Sequence, residues 1–430
     1  MELHSLKYEQ DERLMRCFGN LDKAKSEVEF AHKKVRYFKD SLNLNNEFSN
    51  SAGLNSVPIS DKSVYRKNFP AGILSEGSSL KDPYVSRLQS SGTSGERLVS
   101  VIHSFKLAER MANCLSINPA FQYLSKVPRI KTCRYAAPNC SDVECANPRS
   151  TMQDRILADG TLVLPVYHDL LTTPDSMLRM AFDELHSYEP DLWYVDPMHL
   201  SILIKKAKSE GWAFDLDRKF SVLLTYTFAT RALLRQISEL CAGHAPVASV
   251  MAMSEFGFVG LGCEHGNLHL NDKDYFLEFI QMEGTHPDDN LWELVITSIG
   301  DRLCPHIRYQ TNDIYHLHGA CDCGNSMPRV SFLGRSKDLL RLPSGKYITP
   351  GSLDEVVGAP KWIDIYQLTE QEVGAYIFRF TGNKDCFSDA EKSQLRQKLQ
   401  ALLETENVRV DDVNYFPFER GGKFQLIRKS

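Results

Sequence analysis

The chain has 430 residues, which is more than one typical domain needs, so two or more domains are expected. Hydrophobic residues make up 42% of the chain and charged residues 24%, as in ordinary globular proteins. The net charge is −5 and the basic residues are scattered, which argues against a nucleic-acid partner. No secretory leader or long apolar run is visible, so the sequence predicts a cytoplasmic protein without a membrane partner. Its eleven cysteines are then expected to be thiols or metal ligands.

In chain order, the pattern begins with apolar residues at helical spacing over residues 1–42, at Leu14, Phe18, Leu21 and Ala24. A loop rich in Asn and Ser follows over 43–62. Helices and strands then alternate, with helices expected at 176–188, 197–210 and 229–243 and strands at 192–197, 220–228 and 245–253. This rhythm indicates an α/β fold with buried parallel strands.

The order of predicted helices and strands changes after Arg335. A strand-like segment (366–380), a helix (388–406) and a further strand-like segment (408–418) predict a small α+β domain. The sequence therefore predicts a large N-terminal α/β domain over 1–334, with mixed or parallel sheets flanked by helices. A C-terminal α+β domain over 335–430 completes the prediction.

Two segments are candidates for nucleotide contacts. The hexapeptide SSGTSG (90–95) has small residues that let backbone N–H groups approach phosphate oxygens, although it lacks the Gly-Lys-Ser/Thr of a Walker loop. A polar surface turn is its alternative interpretation. Asp313 follows a predicted strand, HIRYQ, where an acid can accept both hydroxyls of a ribose. Its alternative is a turn residue in Thr-Asn-Asp.

A cluster of cysteine and histidine is a candidate zinc site. Cys321 and Cys323 lie in a Cys-x-Cys-Gly turn, and tetrahedral zinc takes four N or S ligands. Cys263 and His269 would supply the other two ligands, with His265 as the competitor of His269. A zinc ion with four protein ligands is structural. The alternative is a pair of reduced cysteines in a turn.

Three further groups of residues have two interpretations or a structural one. Lys423 stands in Arg-Gly-Gly-Lys, where two glycines would let a loop carry its charge into a site; a solvated lysine is the alternative. His168 is interpreted as a histidine at a strand end. A third, irregular group is interpreted as structural and comprises Cys133, Cys140 and Cys145.

Several segments, in this order, resemble the phenylacetate–coenzyme A ligase branch of the ANL adenylate-forming superfamily, and the resemblance covers nearly the whole chain. VPISDKSVYRKNFPAGILS resembles the segment ahead of the phosphate loop, SSGTSGE the loop itself and MAMSEFG the Tyr-Gly-x-Ser/Thr-Glu motif. CEHGNLHLNDKDYFLEFI resembles the Cys…Gly-Leu-His segment, and RYQTND resembles Arg-Tyr-x-Thr-Gly-Asp. CDCGNSMPRVSFLGRSKDLL resembles the hinge segment, and the late GGK the loop of the adenylation lysine.

The resemblance implies a role for each matching position. Glu255 would coordinate Mg²⁺, which prefers carboxylate and phosphate oxygens, and Ser254 beside it would contact the nucleotide. Asp313, helped by Arg335, would bind the ribose hydroxyls. The pyrophosphate end of ATP would be held by Ser90, Ser91, Gly92, Thr93, Ser94 and Gly95.

Two lysines complete the implied machinery. Lys423 would bridge the substrate carboxylate and the α-phosphate, where charge builds up in the transition state. Lys337 falls at the hinge position, about which the C-terminal domain would rotate between half-reactions.

The chain departs from the family pattern near the implied pocket. Glu96 and Arg97 stand where Lys-Pro is usual. Asn312 replaces the glycine before Asp313, which is tolerable because asparagine accepts a positive φ. The other departures are Met251 and Ala252 in place of Tyr-Gly, TYTFAT (225–230) in place of the adenine-contacting Gly-x-Glu, and Asp354 in place of Glu.

The resemblance thus implies an ATP-dependent ligase that activates a carboxylic acid, aryl or heteroaryl, as an acyl-adenylate. A thiol, first of all that of coenzyme A, would then accept the acyl group. Alternatives are transfer to a carrier protein, an amine or a reductase partner in a natural-product pathway, or a non-catalytic nucleotide-binding relative. ATP, Mg²⁺ and structural Zn²⁺ are the expected cofactors. By analogy with the family, the protein is expected to form a homodimer.

Overall fold

A computed structural model describes residues 5–7, 13–42, 53–89, 98–137, 147, 149–167, 169–383, 386–415 and 424–429. The strands in the first half of the chain are β1 (Ser5–Lys7), β2 (Leu14–Phe18), β3 (Val85–Gln89), β4 (Val99–His103), β5 (Thr132–Tyr135), β6 (Leu162–Val163), β7 (Leu192–Val195), β8 (Ser221–Leu224) and β9 (Val247–Met253). Those of the second half are β10 (Gly257–Gly262), β11 (Leu268–Leu270), β12 (Tyr275–Gln281), β13 (Trp292–Ser298), β14 (Tyr309–Leu317), β15 (Val330–Arg335), β16 (Leu340–Arg341), β17 (Tyr347–Ile348), β18 (Ile365–Glu372), β19 (Ala375–Thr381), β20 (Val408–Asp412) and β21 (Ile427–Arg428).

The α-helices, again in chain order, are α1 (Leu21–Lys34), α2 (Arg36–Ser41), α3 (Lys62–Asn68), α4 (Ser104–Leu115), α5 (Asp175–Tyr188), α6 (Pro197–Glu210), α7 (Arg231–Cys241), α8 (Pro350–Val357) and α9 (Asp389–Leu403). The chain divides into two compact units. Unit 1 consists of Met1–Ser125 and Val250–Phe332, and unit 2 of Lys126–Ser249 and Leu333–Ser430. Among the described residues, none of the helices has both the length and the apolar character that crossing a bilayer requires.

Unit 1 is built on a sheet in which β2, β12, β13, β14, β15, β11 and β10 are successive neighbours. The pairs β2–β12, β12–β13, β13–β14 and β10–β11 are antiparallel. Strand β12 is buried at every residue, and the inward face of α1, with Ala24, Val28 and Ala31, belongs to the same core. Burial on both faces explains why YFLEFIQ is a nearly continuous apolar run.

The prediction of one helical segment over residues 1–42 is wrong at its start. Residues Leu14–Phe18 form strand β2, which pairs with β12, and α1 begins only at Leu21. Gly19, at φ +99°, separates the two elements, and the Asn20 side chain accepts a hydrogen bond from Lys23 N–H to cap the helix. The helical spacing of the apolar residues was therefore produced by a strand and a helix in succession.

The first part of unit 2 confirms the predicted strand–helix–strand rhythm. Strands β5 to β9 are parallel neighbours in the order β6-β5-β7-β8-β9, with α5, α6 and α7 in the connections. Helix α6 shows why the chain folds this way: Asp196 caps its first turn, Pro197 starts it, and Gly211 ends it at φ +69°. In chain order this is a 2-1-3-4-5 arrangement, a doubly wound sheet whose order reverses between β5 and β7.

The second part of unit 2 is a small α+β arrangement. Strands β20, β19, β18 and β21 form its sheet in this order, and their core includes Leu395, Leu399 and Leu403 of α9. The strand-like segment 366–380 is in fact a hairpin of β18 and β19, because Gly374 turns the chain at φ +81°. The predicted fold class is confirmed. The domain division at 334/335 stays a prediction, two residues from the division at Phe332/Leu333.

Candidate active site

A bulge in β14 determines where Asp313 lies. Tyr315 and Ile314 pair with Trp292 and Glu293, whereas Gln310 pairs with Val295, so β14 has extra residues at this point. Thr311 closes the bulge: its hydroxyl donates to Leu294 O (2.8 Å) and accepts from Asp313 N–H (3.2 Å). Bulges next to active sites re-aim side chains.

Asp313 therefore lies within a strand, not after one as the sequence was interpreted, and its side chain is buried. The alternative interpretation of Asp313 as a turn residue is also wrong, because Asp313 belongs to β14. The tolerance of Asn312 is confirmed, since Asn312 has φ +61° and asparagine is one of the few residues that enter this region readily.

The second acid, Glu255, lies in the tight turn between β9 and β10. Phe256 N–H donates to Met253 O (3.2 Å), and Gly257 follows at φ +76°, where a Cβ would collide with the Leu107 side chain. The half-buried Glu255 carboxylate accepts a hydrogen bond from the Tyr309 hydroxyl at 3.0 Å. This bond ties the Glu255 turn to β14, the strand that carries Asp313. Ser254 is half-buried beside Glu255 in the same turn.

Buried polar side chains also lie near the carboxyl ends of the parallel strands in unit 2. Tyr135, Asp196 and His199 are buried where the strand order reverses between β5 and β7. Their geometry is compact, since the rings of Tyr135 and His199 lie 5.5 Å apart and Asp196 Oδ1 lies 3.4 Å from His199 Nδ1. Ligands of doubly wound sheets bind at such reversals.

Tyr226 is strained at the end of β8. Its φ is +74°, a region that costs a bulky residue on the order of 1 kcal/mol or more. Its ring meets that of Tyr194 edge to face at 5.6 Å. Tyr226 belongs to TYTFAT, the segment that departs from the family pattern, so a strained aromatic residue stands at this edge of the sheet.

The four predicted zinc ligands come together in unit 1. One ligand atom each from Cys263, His269, Cys321 and Cys323 lies within 4.8 Å of the other three. Cys263 and His269 lie on the turn and return strand of the β10–β11 hairpin, and Gly324 N–H donates to Cys321 O (3.2 Å) to close the second turn. His265 is exposed and lies outside this cluster, so of the two histidines it is His269 that accompanies the cysteines.

Two distances within the cluster are close to those expected around tetrahedral zinc. Bonds of about 2.3 Å to sulfur and about 2.0 Å to nitrogen place two sulfurs about 3.8 Å apart and sulfur about 3.5 Å from nitrogen. The Cys263 and Cys321 sulfurs are 3.9 Å apart, and Cys323 Sγ lies 3.3 Å from His269 Nε2. The other ring nitrogen, Nδ1, lies 3.0 Å from Met327 O, an arrangement that fixes the ring and directs Nε2 into the cluster.

The thiols of the cluster differ electrostatically. A backbone hydrogen bond from Cys323 N–H lowers the pKa of Cys321, and burial raises the pKa of Cys323. The Asn267 amide also donates toward the Cys321 sulfur at 3.4 Å. The cluster therefore favours one thiolate before any cation is present, and a zinc ligand must be a thiolate.

Three further predicted residues that the structure describes lie on the surface or in the core of unit 2. Arg335 and Lys337 are exposed, with Lys337 in a short 3₁₀ turn, Ser336–Asp338. Asp354 is buried and accepts hydrogen bonds from Arg231 N–H (2.9 Å) and the Tyr366 hydroxyl (2.7 Å). These bonds hold α7 to α8 and β18 within unit 2.

Some predicted residues lie outside the described part of the chain. They are Ser90 to Gly95, Glu96, Arg97, Lys423, His168, Cys140 and Cys145. The strands on either side of the predicted phosphate loop, β3 and β4, pair in an antiparallel hairpin with Gln89 opposite Val99. Cys133 is buried in β5, and burial raises the pKa of its thiol well above the usual range, so it is inert as a nucleophile.

Sequence reasoning missed Tyr309 and Arg308. Arg308 is fully buried, and its guanidinium donates to both carboxylate oxygens of Glu278 (2.9 and 3.1 Å) and to Val57 O (2.6 Å). The available signal of this ion pair was an arginine in HIRYQ, a segment predicted as a strand, and a glutamate inside the apolar run YFLEFIQ. No sequence pattern predicts the hydrogen bond between Tyr309 and Glu255, because 54 positions separate the two residues.

No protein-family model and no curated protein matches the chain. Solved structures do. A 2-hydroxyisobutyryl-CoA ligase in the postadenylation state with 2-HIB-AMP is similar at a TM-score of 0.66 and 14% identity, over 95% of this chain and 88% of that one. An anthranilate CoA ligase, AuaEII, with anthranoyl-AMP is similar at 0.51 and 13%, over 79% of this chain and 65% of that one.

The amide bond synthetase McbA from Marinactinospora thermotolerans is similar at 0.51 and 13%, over 78% of this chain and 67% of that one. This chain has the fold of the adenylate-forming ligases. At these identities the likeness concerns the fold, and the expected resemblance is confirmed at that level. Within the adenylate-forming fold, the bulge of β14, the Glu255 turn and the cysteine–histidine cluster are features of this chain's own residues.

Proposed function

We propose that this chain is an ATP-dependent ligase that activates a carboxylic acid as an acyl-adenylate. One observation carries the proposal: the hydrogen bond from Tyr309 links the first acid, Glu255, to β14, the strand in which the second acid, Asp313, lies four positions further on. The fold supports it, because the 2-hydroxyisobutyryl-CoA ligase and the anthranilate CoA ligase were both solved with an acyl-AMP bound.

The first half-reaction follows from the roles of the acids. A carboxylate oxygen of the substrate attacks the α-phosphorus of ATP in line, and the bond to the bridging oxygen of pyrophosphate breaks. Asp313 would accept the two ribose hydroxyls and so fix the nucleoside, while Ser254 and residues 90–95 would hold the phosphates. Holding the reactants in line converts a two-molecule encounter into an intramolecular step.

Glu255 has the chemistry of a Mg²⁺ ligand. One of its oxygens is held by Tyr309, and in the described part of the chain the other has no hydrogen-bond donor, so it is open to a cation. Mg²⁺ is bound by one or two carboxylates together with phosphate oxygens and water. A Mg²⁺ ion held there would offset the negative charge that pyrophosphate carries away.

The second half-reaction would transfer the acyl group. A thiol sulfur, first of all that of coenzyme A, attacks the acyl carbon, and AMP leaves with its phosphate oxygen. We propose that the C-terminal domain from residue 335 rotates about Lys337 before this step. The hinge segment supports the proposal, since Lys337 is exposed and Gly334 precedes it at φ +120°.

The acid would bind at the carboxyl edge of the unit 2 sheet. The order reversal between β5 and β7 is the expected ligand position. Tyr194 near the end of β7 and Tyr226 just after β8 bring two aromatic rings together near that edge. Aromatic walls suit a flat ring, so the proposed substrate is an aryl or heteroaryl acid. The anthranilate CoA ligase, solved with anthranoyl-AMP, supports this class.

Two kinds of acceptor for the acyl group are proposed, a thiol and an amine. The neighbours include CoA ligases and an amide bond synthetase, so both outcomes lie within the fold. Transfer to a carrier protein, an amine or a reductase partner remains the alternative to coenzyme A. Incubating the purified protein with ATP, its acid and each acceptor separately distinguishes them by the mass of the product.

The cysteine–histidine cluster is proposed as a structural zinc site. The four ligand atoms and the fixed His269 ring support zinc, which with four protein ligands has no open position for catalysis. Zinc would join the β10–β11 hairpin to the turn after β14 and so stiffen the strand that carries Asp313.

The test of the proposed reaction uses Lys423→Ala with Lys429→Ala as its matched control. Both variants remove one lysine amine near the C-terminus, and Lys429 is exposed. Removing a charge that acts in the transition state should slow adenylate formation at least about 100-fold, whereas Lys429→Ala should match the wild type. Hydroxylamine trapping of the adenylate measures the rate. Undiminished adenylation in Lys423→Ala would remove this lysine from the mechanism.

A further inference from the structure

Tyr309 is the described residue in direct hydrogen-bond contact with the Glu255 carboxylate. This residue is 3% exposed, and its hydroxyl donates to Glu255 Oε1 at 3.0 Å. Within the described ranges, Glu255 has no other hydrogen-bond donor. The direction of this acid therefore depends on where the Tyr309 hydroxyl stands.

Three rings fix the position of that hydroxyl. The Tyr309 ring meets Tyr65 at 5.4 Å, Phe256 at 5.5 Å and His306 at 5.4 Å, each in an edge-to-face arrangement. Tyr65 and His306 in turn stack on each other at 4.5 Å. Such pairs add to the energy of burial, and a ring enclosed on three sides cannot swing its hydroxyl away.

The bond has one direction, because the Tyr309 phenol donates and the Glu255 carboxylate accepts. Burial lowers the pKa of His306, whose ring meets that of Tyr309, to about 3, so no imidazolium stands beside the ring. A hydrogen bond from a neutral donor to a carboxylate is among the stronger ones in proteins.

We propose that Tyr309 is the positioning residue of Glu255: its hydroxyl holds Oε1 and so directs Oε2 toward the cation that accompanies ATP. The proposal rests on the proposed function, because it assigns Glu255 to that cation. Partners that orient a metal ligand typically change metal affinity by about 10- to 100-fold when they are removed. Tyr309 touches neither ATP nor the acid substrate in this account.

The test is Tyr309→Phe, which keeps the ring among Tyr65, Phe256 and His306 and removes the hydroxyl alone. Its matched control is Tyr366→Phe. Tyr366 is also a buried tyrosine that donates to a carboxylate, Asp354, at 2.7 Å, but it lies in unit 2. Binding of a non-hydrolysable ATP analogue is measured by calorimetry at a series of Mg²⁺ concentrations.

The expected result is that Tyr309→Phe needs about 10-fold more Mg²⁺ than the wild type for the same analogue affinity, while Tyr366→Phe needs the same. In a Glu255→Gln background, Tyr309→Phe should have no further effect, which a merely structural role would not produce. An unchanged Mg²⁺ requirement in Tyr309→Phe overturns the inference alone. A wild type that binds no ATP analogue at any Mg²⁺ concentration overturns the proposed function and the inference with it.

Discussion

Replacing Asp354 by asparagine should remove a pH-dependent part of the stability. Asp354 is 5% exposed, and burial raises the pKa of its carboxyl from 3.8 to about 6. Arg231 opposes this shift and the charge of Glu355 adds to it. Asparagine keeps the oxygen that accepts from Arg231 N–H and from the Tyr366 hydroxyl, so both hydrogen bonds can survive the change.

The sign follows from the raised pKa. The folded protein holds the Asp354 proton more tightly than the unfolded chain does, so this contribution is full below pH 3.8 and is lost as the pH rises through about 6. With these two pKa values, proton linkage gives a loss of about 1.4 kcal/mol between about pH 5 and about pH 7.5. Asparagine does not titrate, so the variant does not lose this part of its stability as the pH rises.

Urea denaturation of the wild type and Asp354→Asn, each at both pH values, measures the effect. The free energy of unfolding of the variant, relative to the wild type, should rise by about 1.4 kcal/mol from about pH 5 to about pH 7.5. A difference between the two proteins that is the same at both pH values would refute the reasoning, because Asp354 would then titrate alike in the folded and unfolded chain.

Two further predictions concern unit 1. Purified protein should contain about one zinc per chain; Cys321→Ser should lose it and Cys386→Ser, which replaces an exposed cysteine, should keep it, as metal analysis would determine. Metal-free wild-type protein would contradict the zinc proposal. Arg308→Met leaves the Glu278 charge buried without its partner and should cost about 3–5 kcal/mol in urea denaturation. Arg179→Met, at an exposed ion pair, should cost far less, and equal costs would contradict the burial argument.

The sequence predicted the features that are determined by residues close together in the chain. The parallel strands of unit 2 were recognisable because each apolar run alternates with a helix whose ends are marked, as in Asp196–Pro197 before α6 and Gly211 after it. The cysteine–histidine cluster was recognisable because each of its two pairs, Cys263 with His269 and Cys321 with Cys323, is close together in the sequence. The positive φ of Asn312 followed from the replacement of a single glycine.

The features that the sequence did not predict depend on pairing between strands that are distant in the chain. The position of Asp313 comes from extra residues in β14 relative to β13, and a register is a property of two strands that one strand's sequence does not contain. Strand β2 was mistaken for helix because its neighbour β12 lies about 260 positions later in the chain. The Tyr309–Glu255 bond is of the same kind, since its partners meet only when β9, β10 and β14 have folded.

The central claim is that this chain activates a carboxylic acid with ATP. ATP–pyrophosphate exchange with a panel of aryl, heteroaryl and fatty acids, and hydroxylamine trapping alongside, tests it most directly. We expect exchange that depends on an aryl or heteroaryl acid and on Mg²⁺ and that is lost in Glu255→Gln. Binding of ATP without exchange across the whole panel would contradict it and favour a nucleotide-binding protein that has kept the fold without the reaction.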